Sequence, residues 1–276
     1  MRVLVLCLLL SSLACVGRAP LPPKAIALND DGAAALAAGD LQTAEARLAL
    51  AVEYNPRFTE AWVNLGLVAL ERGEIDRAER DLEKGRELNP DLPSPHHALG
   101  LLEERRGNLE AAEHHYRAAL AVDPGFAPSR ANLGRLLFAR KAFDDAREQF
   151  LRLTEVAPES VAGWTGLVES LLALKREIES DETLERARVR FGDVSDLVLL
   201  VGRQQLRRGA FEQAEETLAP LTQESGHRRA AAWAWIGVSR LGRGDVTGAR
   251  SACSQAQAID QQEPVAFYLE QTLASP

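Results

Sequence analysis

The hydrophobic pattern of residues 59–92 predicts two short helices placed back to back. Small and apolar residues recur at helical spacing in each half: Trp62, Leu65, Gly66 and Ala69 in the first, and Ile75, Ala78, Leu82 and Gly85 in the second. Gly73 separates the halves, and Asn89 and Pro90 end the second one. Helices of this length are marginally stable alone in water. We therefore expect similar helix pairs on both sides to bury their apolar faces.

The same pattern recurs every 34 residues. The markers are an alanine in the second helix, a proline after it and a glycine between the helices. They are Ala44, Ala78, Ala112 and Ala146; Pro56, Pro90, Pro124 and Pro158; and Gly39, Gly73 and Gly107. This period, and the W-x2-L-G sequence that begins at Trp62, are typical of tetratricopeptide repeats. The chain resembles the tetratricopeptide repeat family over nearly all of its length after residue 24.

The resemblance implies an all-α fold, a right-handed solenoid of about seven helix-turn-helix repeats followed by a capping helix. The repeats are predicted at 25–58, 59–92, 93–126, 127–160, 161–194, 195–229 and 230–263, and the capping helix at 264–276. The pattern weakens in the later repeats. The fifth has Ser180 in place of the alanine and no closing proline, and the seventh begins one residue late. In the sixth, Pro220 should kink or shorten the second helix.

Residues 1–14 have the features of a lipoprotein signal peptide. Arg2 precedes an apolar run that is too short to span a membrane. The residues from Ser12 to Ala14, before Cys15, resemble a bacterial lipobox, which implies that Cys15 is lipidated and becomes the first residue of the mature chain. Cleavage after Ala19 and an uncleaved anchor are the alternatives.

The residues that begin at Cys15 predict an extended tether and indicate the membrane to which the protein is anchored. Residues 15–24 contain three prolines and are expected to be extended. Val16 follows Cys15 where an Asp would mark the inner membrane. By resemblance to enterobacterial sorting, this implies a lipid anchor at the periplasmic face of the bacterial outer membrane.

Composition and charge argue against several function classes. A formal net charge of −8 and a pI of about 5.3 leave no basic stripe for nucleic acid. Cys253 is the only cysteine after Cys15, so the mature chain has no pair for an internal disulfide. The third repeat contains four histidines, at 96, 97, 114 and 115, but adjacent helical residues point about 100° apart. We expect no metal site, no cofactor and, without a catalytic motif, no enzyme activity.

The resemblance also implies where a partner binds, because the first helices of tetratricopeptide repeats line a groove for extended peptides or helices. The residues at the family's groove positions include Asn64, His97, Arg105, Asn132, Arg135, Glu169, Arg203 and Arg207. Trp235 is expected to face the groove as well, since Trp233 fills the packing position. The asparagines can donate to and accept from a peptide backbone, and Arg135, Arg203 and Arg207 can pair with carboxylates.

Other interpretations of these residues remain open. The polar side chains can be solvated helix faces, and Trp235 can lie under the capping helix. Partners can also bind the convex face or the irregular helix after Lys175. The lysines with which the family holds a C-terminal carboxylate are missing from their positions, which argues against an adaptor for chaperone tails.

The predicted anchor and groove indicate an outer-membrane lipoprotein that acts as a periplasmic interaction scaffold. In anchor, size and repeat coverage it resembles the tetratricopeptide pilotins, which help a type IV pilus secretin to assemble. Its partner is then an extended or helical segment of an envelope protein. The alternatives are a subunit of another envelope complex, for gliding motility, outer-membrane assembly or polysaccharide export, or a regulator of a cell-wall enzyme.

Overall fold

The computed structural model describes residues 21–274, which contain fifteen α-helices, one 3₁₀ helix and no β-strand. The elements are α1 Pro23–Ala37, α2 Leu41–Tyr54, α3 Thr59–Glu71, α4 Ile75–Leu88, α5 Pro93–Arg106, α6 Leu109–Val122, α7 Ala127–Ala139, α8 Phe143–Val156, α9 Val161–Ala173, α10 Glu177–Phe191, α11 Ser195–Arg207, α12 Phe211–Leu218, the 3₁₀ helix Ala219–Gln223, α13 Gly226–Gly242, α14 Val246–Ile259 and α15 Pro264–Ala274. The first helices of the second to sixth repeats begin at the first residue of the predicted repeat.

The chain divides after Leu102 into two compact units. In the first unit α1 packs against α2, α2 against α3 and α3 against α4; in the second, the same consecutive packing runs from α6 to α15. The first helices of successive repeats are also neighbours, as in α1 and α3 or α11 and α13. This packing of consecutive helix pairs confirms the predicted all-α repeat fold.

The side chains that hold each helix pair together keep the 34-residue step. Six second-helix residues with this spacing are almost wholly buried: Leu48, Leu82, Tyr116, Phe150, Leu184 and Leu218. Several lie directly against a glycine of the first helix. A Cβ on Gly66 would lie 2.5 Å from Leu82, and one on Gly202 would lie 2.6 Å from Leu218. The glycines therefore let the two helices approach until one large side chain fills the space between them.

The turn within each repeat places one residue in the left-handed region of φ. Glycine occupies this position in five repeats: Gly39, Gly73, Gly107, Gly209 and Gly244. Lys141, with φ of 62°, and Lys175, with φ of 60°, occupy it in the other two. Both lysines keep the 34-residue step from Gly107. The repeat geometry imposes the conformation, although it costs a residue with a Cβ about 1–2 kcal/mol.

Replacing Lys141 with glycine is expected to raise the free energy of unfolding by about 0.5–1 kcal/mol, because relief of the left-handed strain outweighs the entropy that glycine adds to the unfolded chain. The urea midpoint measures this change. Lys84→Gly is the control, because Lys84 is exposed within α4. Glycine in this helix interior should lower the free energy of unfolding by about 1 kcal/mol. Destabilisation by both substitutions would contradict the strain assigned to Lys141.

The first helix begins earlier than predicted. α1 starts at Pro23, so Pro23 and Lys24 belong to the helix and not to the tether. Proline is compatible with the first turn because the N–H of that position has no helical partner. The signal peptide at 1–14, Cys15 and the tether up to residue 20 lie outside the described residues, and the predictions made for them stay predictions.

The border between the sixth and seventh repeats also differs from its prediction. α12 has only eight residues, and Pro220 lies in the 3₁₀ helix that follows it. Proline cannot continue the α-helical hydrogen bonding, so the chain leaves α12 early and α13 begins at Gly226. The predicted border at 229 and 230 therefore falls inside α13. Within residues 21–274, no helix combines the length and apolarity needed to cross a bilayer.

Candidate protein-binding face

The nine residues predicted to line a groove lie on the first helices of their repeats. They are Asn64 on α3, His97 and Arg105 on α5, Asn132 and Arg135 on α7, Glu169 on α9, Arg203 and Arg207 on α11, and Trp235 on α13. We call these nine side chains, together with Asn29 on α1, the first-helix face. Arg105, Arg135 and Arg207 are exposed, and the other six predicted residues are half-buried.

In the first unit, an amide pair joins the first helices of two repeats. The Nδ2 of Asn64 donates to the Oδ1 of Asn29 on α1 at 2.9 Å. A primary amide has two N–H donors and a carbonyl oxygen, so this bond uses only part of the capacity of Asn64. His97 lies in the same unit, and burial lowers the pKa of its imidazole from 6.5 to about 4. His97 is therefore neutral at physiological pH and can donate or accept a hydrogen bond.

In the second unit, four side chains form a polar cluster on α5, α6 and α7. The Nη2 of Arg135 contacts both carboxylate oxygens of Glu104, at 2.8 and 2.6 Å. The buried Tyr116 interacts with Glu104 and Asn132, and its pKa is raised above the usual range, first by burial and then by the Glu104 carboxylate. Asn132 is thus held beside a hydroxyl that stays protonated.

Arg203 links three first helices of the second unit. Its Nη1 donates to the Oε1 of Glu169 on α9 at 3.0 Å, and its guanidinium lies 5.3 Å from the ring centroid of Trp235 on α13. A guanidinium over an indole face is a favourable cation–π arrangement. The tryptophan that packs with the capping helix α15 is Trp233, which contacts the cluster containing Ala266 and Leu269.

Arg207 is paired with an acid on the preceding second helix. The carboxylate of Asp181 on α10 accepts from Arg207 and Arg208, each at 2.7 Å. The three arginines that were expected to pair with a partner's carboxylates are therefore paired within the chain. Arg135 bonds to Glu104, Arg203 to Glu169 and Arg207 to Asp181. A partner carboxylate would have to compete with these internal acids, so the face is better suited to uncharged hydrogen bonding.

Sequence reasoning missed the residues that engage the groove positions. Asn29, Glu104, Tyr116 and Asp181 were not identified as contacts of the first-helix face. One signal was present, because Glu169 precedes Arg203 by the repeat step of 34 residues. Side chains one repeat apart lie on neighbouring first helices, so an acid and an arginine with this spacing can pair.

The histidines of the third repeat do not form a metal centre within the described part of the chain. Across residues 21–274, no group of three or more His, Cys, Asp or Glu side chains is arranged to hold a metal ion. The rings of His114 and His115 meet edge to face with centroids 5.7 Å apart. Adjacent positions on one helix thus direct these rings differently.

Comparisons with known proteins add sequence and structural relationships. Two family models, both described as tetratricopeptide repeat, match the chain: one at residues 35–102 and 105–174, the other at 199–264. A search of curated protein sequences finds no match.

Solved structures with a similar backbone include repeat proteins of comparable length. A tetratricopeptide repeat protein from Parabacteroides merdae has a TM-score of 0.65 at 17% identity, over 92% of this chain and 100% of its own. The structure of Pseudomonas aeruginosa pilF has a TM-score of 0.63 at 21% identity, over 78% of this chain and 97% of its own. The Cut9–Hcn1 hetero-tetramer gives a TM-score of 0.58 at 15% identity, over 91% of this chain and 43% of that one. These similarities are similarities of fold.

Proposed function

This chain belongs to the tetratricopeptide repeat family, and from that premise we propose that it is a protein–protein interaction scaffold of the bacterial envelope. In this proposal a lipid on Cys15 holds it at the periplasmic face of the outer membrane. The first-helix face then captures an extended or helical segment of an envelope protein. The observation that carries the proposal is that each unit has amide or imidazole groups on its first helices: Asn64 and His97 in the first unit, and Asn132 in the second.

These groups favour recognition of a peptide backbone over recognition of charge. Asn64 and Asn132 each offer donors and an acceptor, and His97 is neutral at physiological pH. The neighbouring arginines are engaged by acids. Main-chain groups of an extended peptide can bond to such side chains whatever the sequence of the peptide.

The specific role that we propose is assistance to the assembly of a type IV pilus secretin. Three observations support it: the lipobox-like residues before Cys15, the apolar run that precedes them, and the similarity of fold to Pseudomonas aeruginosa pilF over nearly the whole of that chain. The proposal separates into an anchor and a binding face, and each has its own test.

The anchor is tested by Cys15→Ser. We expect the wild-type protein to incorporate a fatty-acid label and to sediment with outer membranes, and the variant to lose the label and become soluble, because stable anchoring needs more than one acyl chain. Cys253→Ala is the matched control, since Cys253 is buried in the last repeat and its loss should change neither result. An unlabelled wild type, or a variant that stays in the membrane, would disprove the anchor.

The binding face is tested with the double variant Asn64→Ala and Asn132→Ala. Each lost amide interaction should weaken binding by about 0.5–1.5 kcal/mol, so the affinity for the pilus secretin of the same organism should fall by about 5-fold to 150-fold. Glu148→Ala is the control, because Glu148 is exposed on the second helix α8. Capture by the double variant at the wild-type level, with equal stability, would exclude these amides from the binding face.

A further inference from the structure

A groove lies in the second unit between the second helices α10 and α12, and residues of the first helix α11 form its floor. It consists of two adjoining clefts of about 480 and 500 Å³ that share Arg188, Val201 and Gln205. We call it the α10–α12 groove. It uses none of the nine residues predicted for the first-helix face.

The irregularities of the fifth and sixth repeats create this groove. α12 ends at Leu218, and the 3₁₀ helix that contains Pro220 replaces the rest of a second helix. Pro220 and Leu221 line one end of the groove. The hydroxyl of Ser195 donates to Glu224 at 2.6 Å and so fixes the wall beyond the 3₁₀ helix. The second helices α4, α6 and α8 each have 14 residues where α12 has 8, so a regular second helix would place nearly two more turns in this region.

Two buried polar atoms in the shared part of the groove have no hydrogen-bond partner among the described residues. They are the Nε of Arg188, a donor, and the Oε1 of Gln205, an acceptor. Buried polar groups in folded proteins are nearly always paired, so an unpaired donor and an unpaired acceptor in one groove need an explanation. A peptide bond carries one N–H and one C=O, so an extended peptide in the groove can pair with both groups once the side chains of Arg188 and Gln205 turn toward it.

The remaining walls specify the side chains of such a peptide. At the end where Pro220 lies, the half-buried Val198 and the edges of the buried Val201 and Leu221 provide a small apolar surface. The two clefts carry six acidic side chains, at Asp181, Glu182, Glu185, Asp193, Glu216 and Glu224, against two arginines. Those arginines pair with acids of the groove, Arg188 with Glu185 and Arg208 with Asp181. The other four carboxylates leave the groove with an excess of negative charge.

We propose that the α10–α12 groove binds an extended segment of a partner protein in which an apolar side chain lies next to a lysine or arginine. The apolar side chain contacts Val198 and Leu221, and the cation lies near Glu216 and Asp193. The peptide backbone bonds to Gln205 and Arg188. The proposal does not depend on the first-helix face, so one chain can hold two segments at once.

The test begins with a random twelve-residue peptide display library selected on the purified full chain. The sequences that it enriches are synthesised with a fluorophore, and their binding is measured by fluorescence anisotropy. The variants are Glu216→Lys and Gln205→Ala. The controls are Glu159→Lys, an exposed acid in the loop after α8, and Asn132→Ala on the first-helix face. Circular dichroism establishes that each variant is folded.

We expect enrichment of peptides that contain an apolar residue beside a basic one. Their affinity should fall about tenfold or more with Glu216→Lys and severalfold with Gln205→Ala, and it should not change with Glu159→Lys or Asn132→Ala. The proposal is overturned if no peptide is enriched, if the enriched peptides are acidic, or if Glu216→Lys binds them as well as wild type. Loss of binding by every enriched peptide with Asn132→Ala alone would also overturn it, while supporting the first-helix face as the peptide site.

Discussion

Phe150→Ala is expected to lower the free energy of unfolding by about 3–5 kcal/mol. The ring of Phe150 lies between two first helices of the second unit: a Cβ on Gly134 of α7 would be 2.9 Å from it, and one on Gly166 of α9 would be 2.5 Å from it. Glycine offers no side chain that can move into the vacated space, so the cavity should persist. Urea unfolding followed by circular dichroism measures the change.

Two further variants test whether the packing of Phe150 is the cause. Phe267→Ala removes a ring that is 56% exposed on α15 and should change stability by less than about 0.5 kcal/mol. Gly166→Ala should destabilise the wild type, because its new Cβ meets the ring, but should be tolerated in the Phe150→Ala background. If the changes that Phe150→Ala and Gly166→Ala cause in the free energy of unfolding were additive, the close contact between the two residues would be contradicted.

Lowering the pH from about 7 to 4 is expected to destabilise the protein by about 3 kcal/mol through His97 alone. Burial lowers the pKa of this imidazole from 6.5 to about 4. Between these values the unfolded chain binds a proton that the folded chain does not bind, so acid favours unfolding. The contribution of His97 to the free energy of unfolding is constant above about pH 6.5, decreases as the pH is lowered towards 4, and changes no further below that.

The measurement is the free energy of unfolding across this pH range for the wild type and for His97→Gln. The curve of the variant should be flatter by the contribution of His97, whatever other groups titrate. His227→Gln is the matched control, since His227 is exposed on α13 and the substitution removes no buried imidazole. Parallel curves for His97→Gln and the wild type would contradict a buried neutral imidazole at this position.

Much of the fold could be predicted because its determinants repeat at one spacing. Glycines at the turns, alanines in the second helices and prolines after them mark where helices end, and α3, α5, α7, α9 and α11 begin where the period places them. The predicted start of the first helix was wrong because proline has two structural roles. Proline breaks a helix interior but can also begin a helix, as Pro23 does in α1.

The candidate site was less accessible to sequence reasoning. The position of a residue within the repeat predicts which helix carries its side chain, but not which neighbouring side chain forms a hydrogen bond or ion pair with it. Arg135 and Glu104 lie 31 residues apart, and Arg207 and Asp181 lie 26 apart. Neither spacing equals the repeat, so these pairs depend on the reach of flexible side chains between helices. Lys141 and Lys175 show the opposite case, because the 34-residue step from Gly107 places them at the turn, where the structure gives both a positive φ.

The locality of the packing has a consequence for how the chain acquires its structure. Among the described residues, helices that pack extensively are no more than two helices apart, and side-chain bonds between repeats are similarly short in sequence, as from Asn64 back to Asn29. Closing such short loops costs little entropy, and local contacts form quickly. Each repeat can therefore make its packing contacts once about one further repeat of the chain is available. A chain that leaves a ribosome or a translocation pore N-terminus first can fold in that order, before α15 is available.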